Sequence, residues 1–292
     1  MPKQWLVERI RAAAAEGAAL LPVHATFGVR ALDASPGSTA FAQRMGPWLL
    51  DRDGRLCPGT FMIAADAALG SAVNTALGAG LTVMSLTIHA QFVTLDPGAA
   101  TDFTVRAEAQ HVGTASGFSA GEIVDDAGRL IARLSTQCGY LPLAVPPVIA
   151  RGAVRIAEED WTAATNGTGL AAVAERRVGA RIVDSRDGQV TISAESGPAV
   201  RNSRGALQGG VLGLLAEQAI SACLVQGSPT LAQAATMELD VSYLRSVGAD
   251  QRRVEVAARA EHAGRRFALA RATCRDGAGR FVMSAVGSRY AG

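Results

Sequence analysis

The chain has almost no lysine: Lys3 is the only one, so arginine supplies nearly all of its 28 basic residues. Aromatic residues make up 5% of its 292 positions and charged residues 18%, against 49% hydrophobic. So little charge with so much apolar surface excludes a disordered chain and leaves ample material for a core. Acidic residues number 26, for a net charge of +2, which argues against a dedicated nucleic-acid binder. No uninterrupted apolar run approaches the roughly 20 residues needed to cross a bilayer. Glu8, Arg9 and Arg11 interrupt the place where a signal peptide would carry its apolar core. The cysteines, Cys57, Cys138, Cys223 and Cys274, show no Cys-x-x-Cys spacing and no companion histidines. That excludes zinc ribbons and secreted disulfide scaffolds and fits isolated thiols in a reducing compartment. The expectation is a cytoplasmic protein with no metal, no cofactor and no membrane or nucleic-acid partner. Its length allows one large domain or two small ones.

What is there is a repeat. Laid over itself at an offset of 151 residues, the chain aligns Gly28 with Gly179, Asp33 with Asp184, and Gly46-Pro47 with Gly197-Pro198. Farther on, His111-x-Gly113 meets His262-x-Gly264, and Asp125 with Ala127-Gly128-Arg129 meets Asp276 with Ala278-Gly279-Arg280. One register without gaps over more than 100 residues marks a tandem duplication.

Each copy has the same coarse layout. Short β-like runs at 24–45 and 175–196 precede long Ala- and Leu-rich segments at 59–79 and 210–226. Both segments have helical length, lack proline inside and are apolar nearly all round, so each predicts a buried helix. The period then changes to two: Leu86, Ile88, Ala90 and Phe92 alternate with more polar residues, as do Met237, Leu239, Val241 and Tyr243. Further alternating runs and Gly-containing turns follow in both copies. The order predicts an α+β fold, a curved antiparallel sheet wrapped around a central helix, made twice. The expected boundaries are an N-terminal helix in 1–22, repeat 1 in 23–142, a linker with a short helix near 158–164 in 143–174, and repeat 2 in 175–292.

Each apolar helix carries one acid, Asp66 in the first and Glu217 in the second, at equivalent positions. A carboxylate on such a helix is costly unless partnered, so it is either held by neighbouring hydrogen-bond donors or tuned as a nucleophile or general base. The second helix is preceded by Asn202, Arg204, Gln208, Gly209 and Gly210. Free N–H groups at a glycine-bearing helix N-terminus aim partial positive charge at a developing oxyanion. Gly209 and Glu217 are eight residues apart, about 12 Å along a helix, so they cannot serve one carbonyl group. The acid at the Gly209 end must come from the other helix, which predicts antiparallel helices and two composite sites. These are unequal: the counterpart of Gly209 is Pro58, which has no N–H, and the counterpart of Asn202 is Asp51. Asp66 is therefore expected to serve the working site.

The spacing of Asn202, then Gln208-Gly209-Gly210, then Glu217 resembles the hotdog-fold acyl-CoA thioesterases, in particular the phenylacetyl-CoA and 4-hydroxybenzoyl-CoA thioesterase branch. Gln208 stands where that family frequently has His, and Cys57-Pro58-Gly59 departs from its glycine motif. The resemblance implies a double hotdog that hydrolyses an acyl-CoA, with Asp66 or Glu217 as acid and Asn202, Gln208, Gly209 and Gly210 around the carbonyl. It also implies substrate contacts from Gly59, from Ser85 and its counterpart Thr236, and from Arg201 and Arg204 toward the CoA phosphates, and assembly into a homo-oligomer. In the acyl-CoA thioesterase II type a Ser or Thr and a Gln assist the acid, and Asp66, Ser85 and Gln137 occur in that order. Two alternatives stay open: an enoyl-CoA hydratase on the same fold and a non-catalytic acyl-CoA-binding protein. Hotdog hydratases carry a His five residues after the Asp, whereas Ser71 and Ala222 hold those positions.

Overall fold

A computed structural model describes residues 2–51, 53–143, 170–186, 188–227, 231 and 234–291, without the side chain of residue 235. The helix expected near 158–164 lies outside the described residues. Two helices, α1 (Gln4–Ala15) and α2 (Pro22–Thr26), precede strands β1 (Val29–Ser35) and β2 (Ser38–Arg44). Helix α3 (Pro58–Ala76) follows, then β3 (Leu81–Phe92), β4 (Asp102–Val112), β5 (Ser116–Asp125) and β6 (Leu130–Pro142). The second half repeats the order from α2 onward: α4 (Ala172–Val178), β7 (Arg181–Arg186), β8 (Gln189–Glu195), α5 (Gly209–Gly227), β9 (Ala235–Tyr243), β10 (Arg253–Ala263), β11 (Phe267–Asp276) and β12 (Phe281–Tyr290). Helices α2 and α4 replace the starts of the β-like runs expected at 24–45 and 175–196.

The twelve strands of the described residues form one antiparallel sheet in the order β1-β2-β4-β5-β6-β3-β9-β12-β11-β10-β8-β7, which reads the same from either end once the copies are matched. The halves join at its centre, where β3 pairs β9 from Thr87 opposite Ser242 to Gln91 opposite Glu238. Period-two alternation buries Phe103, Val105 and Ala107 on β4 and Val254, Val256 and Ala258 on β10. Helix α1 lays Leu6, Val7, Ile10 and Ala13 into the core, as its amphipathic spacing dictates. Helix α5 is long and apolar enough by composition to cross a membrane, but it is mostly buried between sheet and neighbouring helix.

The sequence repeats mark construction points. The register shifts at Ala31/Asp33 and at its counterpart Ile182/Asp184, and again at Ala109/His111 and Ala260/His262. His111 and His262 thus mark matching β-bulges, where one extra residue increases the local twist. Asp125 Oδ1 accepts the N–H groups of Ala127 and Arg129 to close a hairpin, and Asp276 does the same for Ala278 and Arg280.

α3 and α5 pack against each other with glycines at the crossing. A Cβ on Gly210 would lie 2.3 Å from Met62 O, and one on Gly59 would lie 3.0 Å from Leu214 Cα. Their equivalence therefore has a packing reason: only glycine lets the two backbones approach this closely.

Candidate active site

The helix crossing brings each acid to the start of the other helix. Asp66, on α3, accepts a hydrogen bond from Gly210 N–H at 3.3 Å and one from Ser85 Oγ on β3 at 2.8 Å. A Cβ on Gly209 would meet Asp66 Oδ2 at 3.1 Å, so no side chain intervenes between the helix end and the carboxylate. Burial lifts the Asp66 carboxyl above its ordinary range. Ser85, the Gly210 N–H, the charge of Arg204 and the Gly209 N–H pull it back. A cleft opens beside this carboxylate between α3, β3 and the loop before α5; Asp66, Ser85, Asn202, Arg204, Gln208 and Gly209 all line it.

Tyr243, also on the cleft, donates its hydroxyl to Gly209 O at 2.8 Å and so braces the first turn of α5. Burial and the nearby Asp66 charge push its phenol well up, so it stays protonated. The sequence offered Tyr243 only as one residue of an alternating strand. His24 on α2 also borders the cleft; burial brings its imidazole down to about 4, and its Nδ1 has no partner among the described residues.

Several expected roles look different in place. Asn202 Oδ1 accepts from Arg204 N–H at 2.9 Å and Ala206 N–H at 3.2 Å, closing its own loop. Asp51 does the same with Asp53 and Arg55, both at 2.9 Å. The shared function of this pair is an Asx-type turn, which an Asn or an Asp makes equally well. Gln208 donates Nε2 to Ile63 O at 3.3 Å, tying the start of α5 to α3, while its Oε1 has no partner among the described residues. Arg201, expected at the CoA phosphates, is turned into the loops instead: it donates to the carbonyls of Gly205, Ser196, Ala249 and Gln251. A guanidinium spent on carbonyls fixes loop shape and has few donors left for a phosphate. Arg204 does reach the cleft, donating to Val83 O at 3.3 Å. Gly59 lies under Leu214 at the helix crossing, away from the cleft. Gln137 is exposed, and Cys138 rather than Gln137 pairs with Ser85 across the strands.

Among the described residues the Glu217 side is packed shut. Glu217 is only 2% exposed; Gln218 Nε2 donates to its Oε2 at 2.7 Å and Thr236 Oγ1 to its Oε1 at 3.4 Å. Burial raises its carboxyl above the ordinary range, and the positive charge of Arg289 is the largest influence opposing that. Arg289 occupies the position equivalent to Cys138, and its guanidinium donates to Ser221 Oγ and to Leu231 O. Gln218 occupies the position of Ala67; its Oε1 accepts Ala171 N–H at 2.6 Å, which seats the chain before α4 over the acid. From α3, Cys57 Sγ lies 3.8 Å from Glu217 Oε2, and Pro58 has no N–H to offer. Burial and the Glu217 charge push the Cys57 thiol well up, so it is no nucleophile. Among the described residues no group of three or more His, Cys, Asp or Glu is placed to hold a metal ion.

Comparison with known proteins agrees with this architecture. Residues 8–141 match the family model of the acyl-CoA thioesterase C-terminal domain, and residues 204–282 match that of the thioesterase superfamily. Among solved structures, a tesB protein of Mycobacterium avium subs paratuberculosis superposes with a TM-score of 0.61 at 12% identity, covering 92% of this chain and 97% of its own. An acyl-CoA thioesterase II, TesB2, of Mycobacterium marinum gives 0.60 at 12% identity, covering 92% and 96%. A hot dog fold protein of Alicyclobacillus acidocaldarius gives 0.61 at 10%, covering 92% and 97%. No curated protein matches the sequence. The fold and the two family matches define a double hotdog assembled from two thioesterase domains. Each half of the chain thus matches a thioesterase family model, and the class of activity is thioester hydrolysis.

Proposed function

We propose that the protein hydrolyses acyl-CoA at the Asp66 cleft alone, and that the Glu217 side serves as structure. The observation that carries this reading is the position of Asp66: its carboxylate sits at the open N-terminus of α5, 3.3 Å from Gly210 N and within a cleft. A thioester entering that cleft competes for the same N–H donors, so its carbonyl oxygen takes up the helix-end partial charge as negative charge develops. Ser85 then holds the Asp66 carboxylate in place for attack. The carboxylate either adds to the thioester carbon, expelling CoA thiolate and leaving an anhydride that water opens, or it removes a proton from a water that adds to the same carbon. Burial makes Asp66 a stronger base and nucleophile than a solvated carboxylate, which suits both routes.

Arg204 and Arg245, which both line the cleft, are the basic groups placed for the CoA phosphates. A homo-oligomer of double-hotdog units and a cytoplasmic location remain part of the proposal. A panel of acyl-CoAs assayed with a thiol reagent tests it: Asp66-dependent release of free CoA supports hydrolysis. A change at an enoyl chromophore without thiol supports a hydratase, and binding without turnover a non-catalytic protein.

A further inference from the structure

The sole lysine of the chain is buried behind Asn74, a residue that lines this cleft. Lys3 is 1% exposed, and its ammonium donates to Asn74 Oδ1 at 2.5 Å, its one side-chain partner among the described residues. Its backbone N–H donates to Thr75 O at 3.0 Å, so the residue is pinned against the last turn of α3. That helix end carries partial negative charge and favours a cation, but among the described residues the buried ammonium has a neutral amide and no carboxylate partner. Burial brings the Lys3 ammonium down to about 8, which leaves it mostly charged at neutral pH.

Asn74 itself faces the cleft, on the same stripe of α3 as Asp66, Ala67, Gly70 and Ser71. An ammonium has only donors, so its contact fixes the Asn74 oxygen toward Lys3 and leaves the NH2 edge to be offered elsewhere. Asp66 and Asn74 are eight residues apart, about 12 Å along the helix, a span suited to a short or medium acyl chain. Between them the wall is kept low: a Cβ on Gly70 would come within 3.8 Å of Val83 Cγ2 across the cleft, and the counterpart of Gly70 in the closed half is Ser221.

We propose that the cleft selects acyl-CoAs whose acyl chain ends in a carboxylate, received by the Asn74 amide with Lys3 supplying the charge behind it. This rests on the Asp66 cleft being the hydrolytic site. Asn74 is the residue that touches the chain end, and Lys3 positions it.

The test compares two eight-carbon thioesters, octanoyl-CoA and its ω-carboxyl counterpart suberoyl-CoA. The expected kcat/KM favours suberoyl-CoA by about tenfold or more, the scale of one well-placed polar contact. Asn74→Leu and Lys3→Met abolish or reverse that preference, and Lys3→Arg retains it. Equal turnover of the two thioesters overturns the inference, as does a preference that neither Asn74→Leu nor Lys3→Met moves, even if Lys3→Met lowers the melting temperature. If neither thioester is hydrolysed, calorimetric Kd values for the same pair still read the preference. Selective binding of suberoyl-CoA without turnover keeps this inference and overturns the hydrolase reading.

Discussion

The N-terminus of α5 meets Asp66 with peptide N–H groups and an open cleft; the N-terminus of α3 meets Glu217 with a proline ring and a packed wall. Four matched positions account for the contrast and a fifth is shared. Gly209 against Pro58 sets the supply of N–H donors, and Gln208 against Cys57 sets the group at the helix start. Ala67 against Gln218 and Cys138 against Arg289 decide whether the space beside the acid is empty or filled. Ser85 and Thr236 keep the same hydroxyl on both acids, at 2.8 Å in the open site and 3.4 Å in the closed one. A duplicated fold needs both acids' helices for packing, but it needs only one open helix end for chemistry. In the closed half the carboxylate has an amide and a nearby cation in place of solvent, beside the hydroxyl that both acids share.

Moving a feature of the closed site into the open one gives the largest expected effect. Gly209→Pro imports the Pro58 condition and removes an N–H aimed at Asp66. Proline is accepted in the first turn of a helix, and its ring also crowds Asp66, since a Cβ there lies 3.1 Å from Oδ2. The expected loss in kcat is about 10²-fold, the scale for one oxyanion donor, measured by steady-state CoA release. A loss below threefold would mean that the helix end is not the donor.

Ser85→Ala comes next, with an expected loss of about tenfold in kcat/KM, against no change for Thr236→Ala. On the proposed mechanism activity requires the Asp66 carboxylate, so it should fall as pH drops through a pKa that burial has raised. Ser85 lowers that pKa, so its removal should shift the acid limb of the pH–rate profile to higher pH. An unshifted limb would remove Ser85 from the site.

The smallest effect on turnover is expected on the closed side. Arg289→Met should leave kcat/KM within twofold yet reduce stability by about 2 kcal/mol at pH 7, because Glu217 loses its cationic neighbour. The sign follows from linkage. The folded pKa of Glu217 is already raised, so folding loses stability as pH rises through it. The variant raises that pKa further and widens the loss. The deficit should shrink as pH falls and Glu217 takes up its proton. Denaturant unfolding at several pH values measures it, and a pH-independent deficit would assign Arg289 a packing role only.

The repeat, the two apolar helices and their acids were legible because each is a pattern along one line of sequence. So was the exchange of acids between helices, which needs only the rise per residue of a helix. The short helices α2 and α4 were missed because five and seven residues are too few for a helical period to stand out. The loop-building contacts of Arg201 and Asn202 were not foreseen because their residue types suit a ligand as well as a loop. The Asn-x-x-Gly pattern at 202–205, matched by Asp-x-x-Gly at 51–54, was the available signal for a turn. Arg289 and Gln218 were present in the aligned repeats, but nothing in one dimension places Arg289 near Glu217. That follows only once β12 is paired with β9, with Arg289 opposite Thr236.

The most direct test of one working site in two is to measure kcat/KM for Asp66→Asn beside Glu217→Gln on the same acyl-CoA. The account predicts a fall of about 10³-fold or more in Asp66→Asn and little change in Glu217→Gln, with both variants folded by circular dichroism. Equal losses in the two, or a loss only in Glu217→Gln, would contradict it.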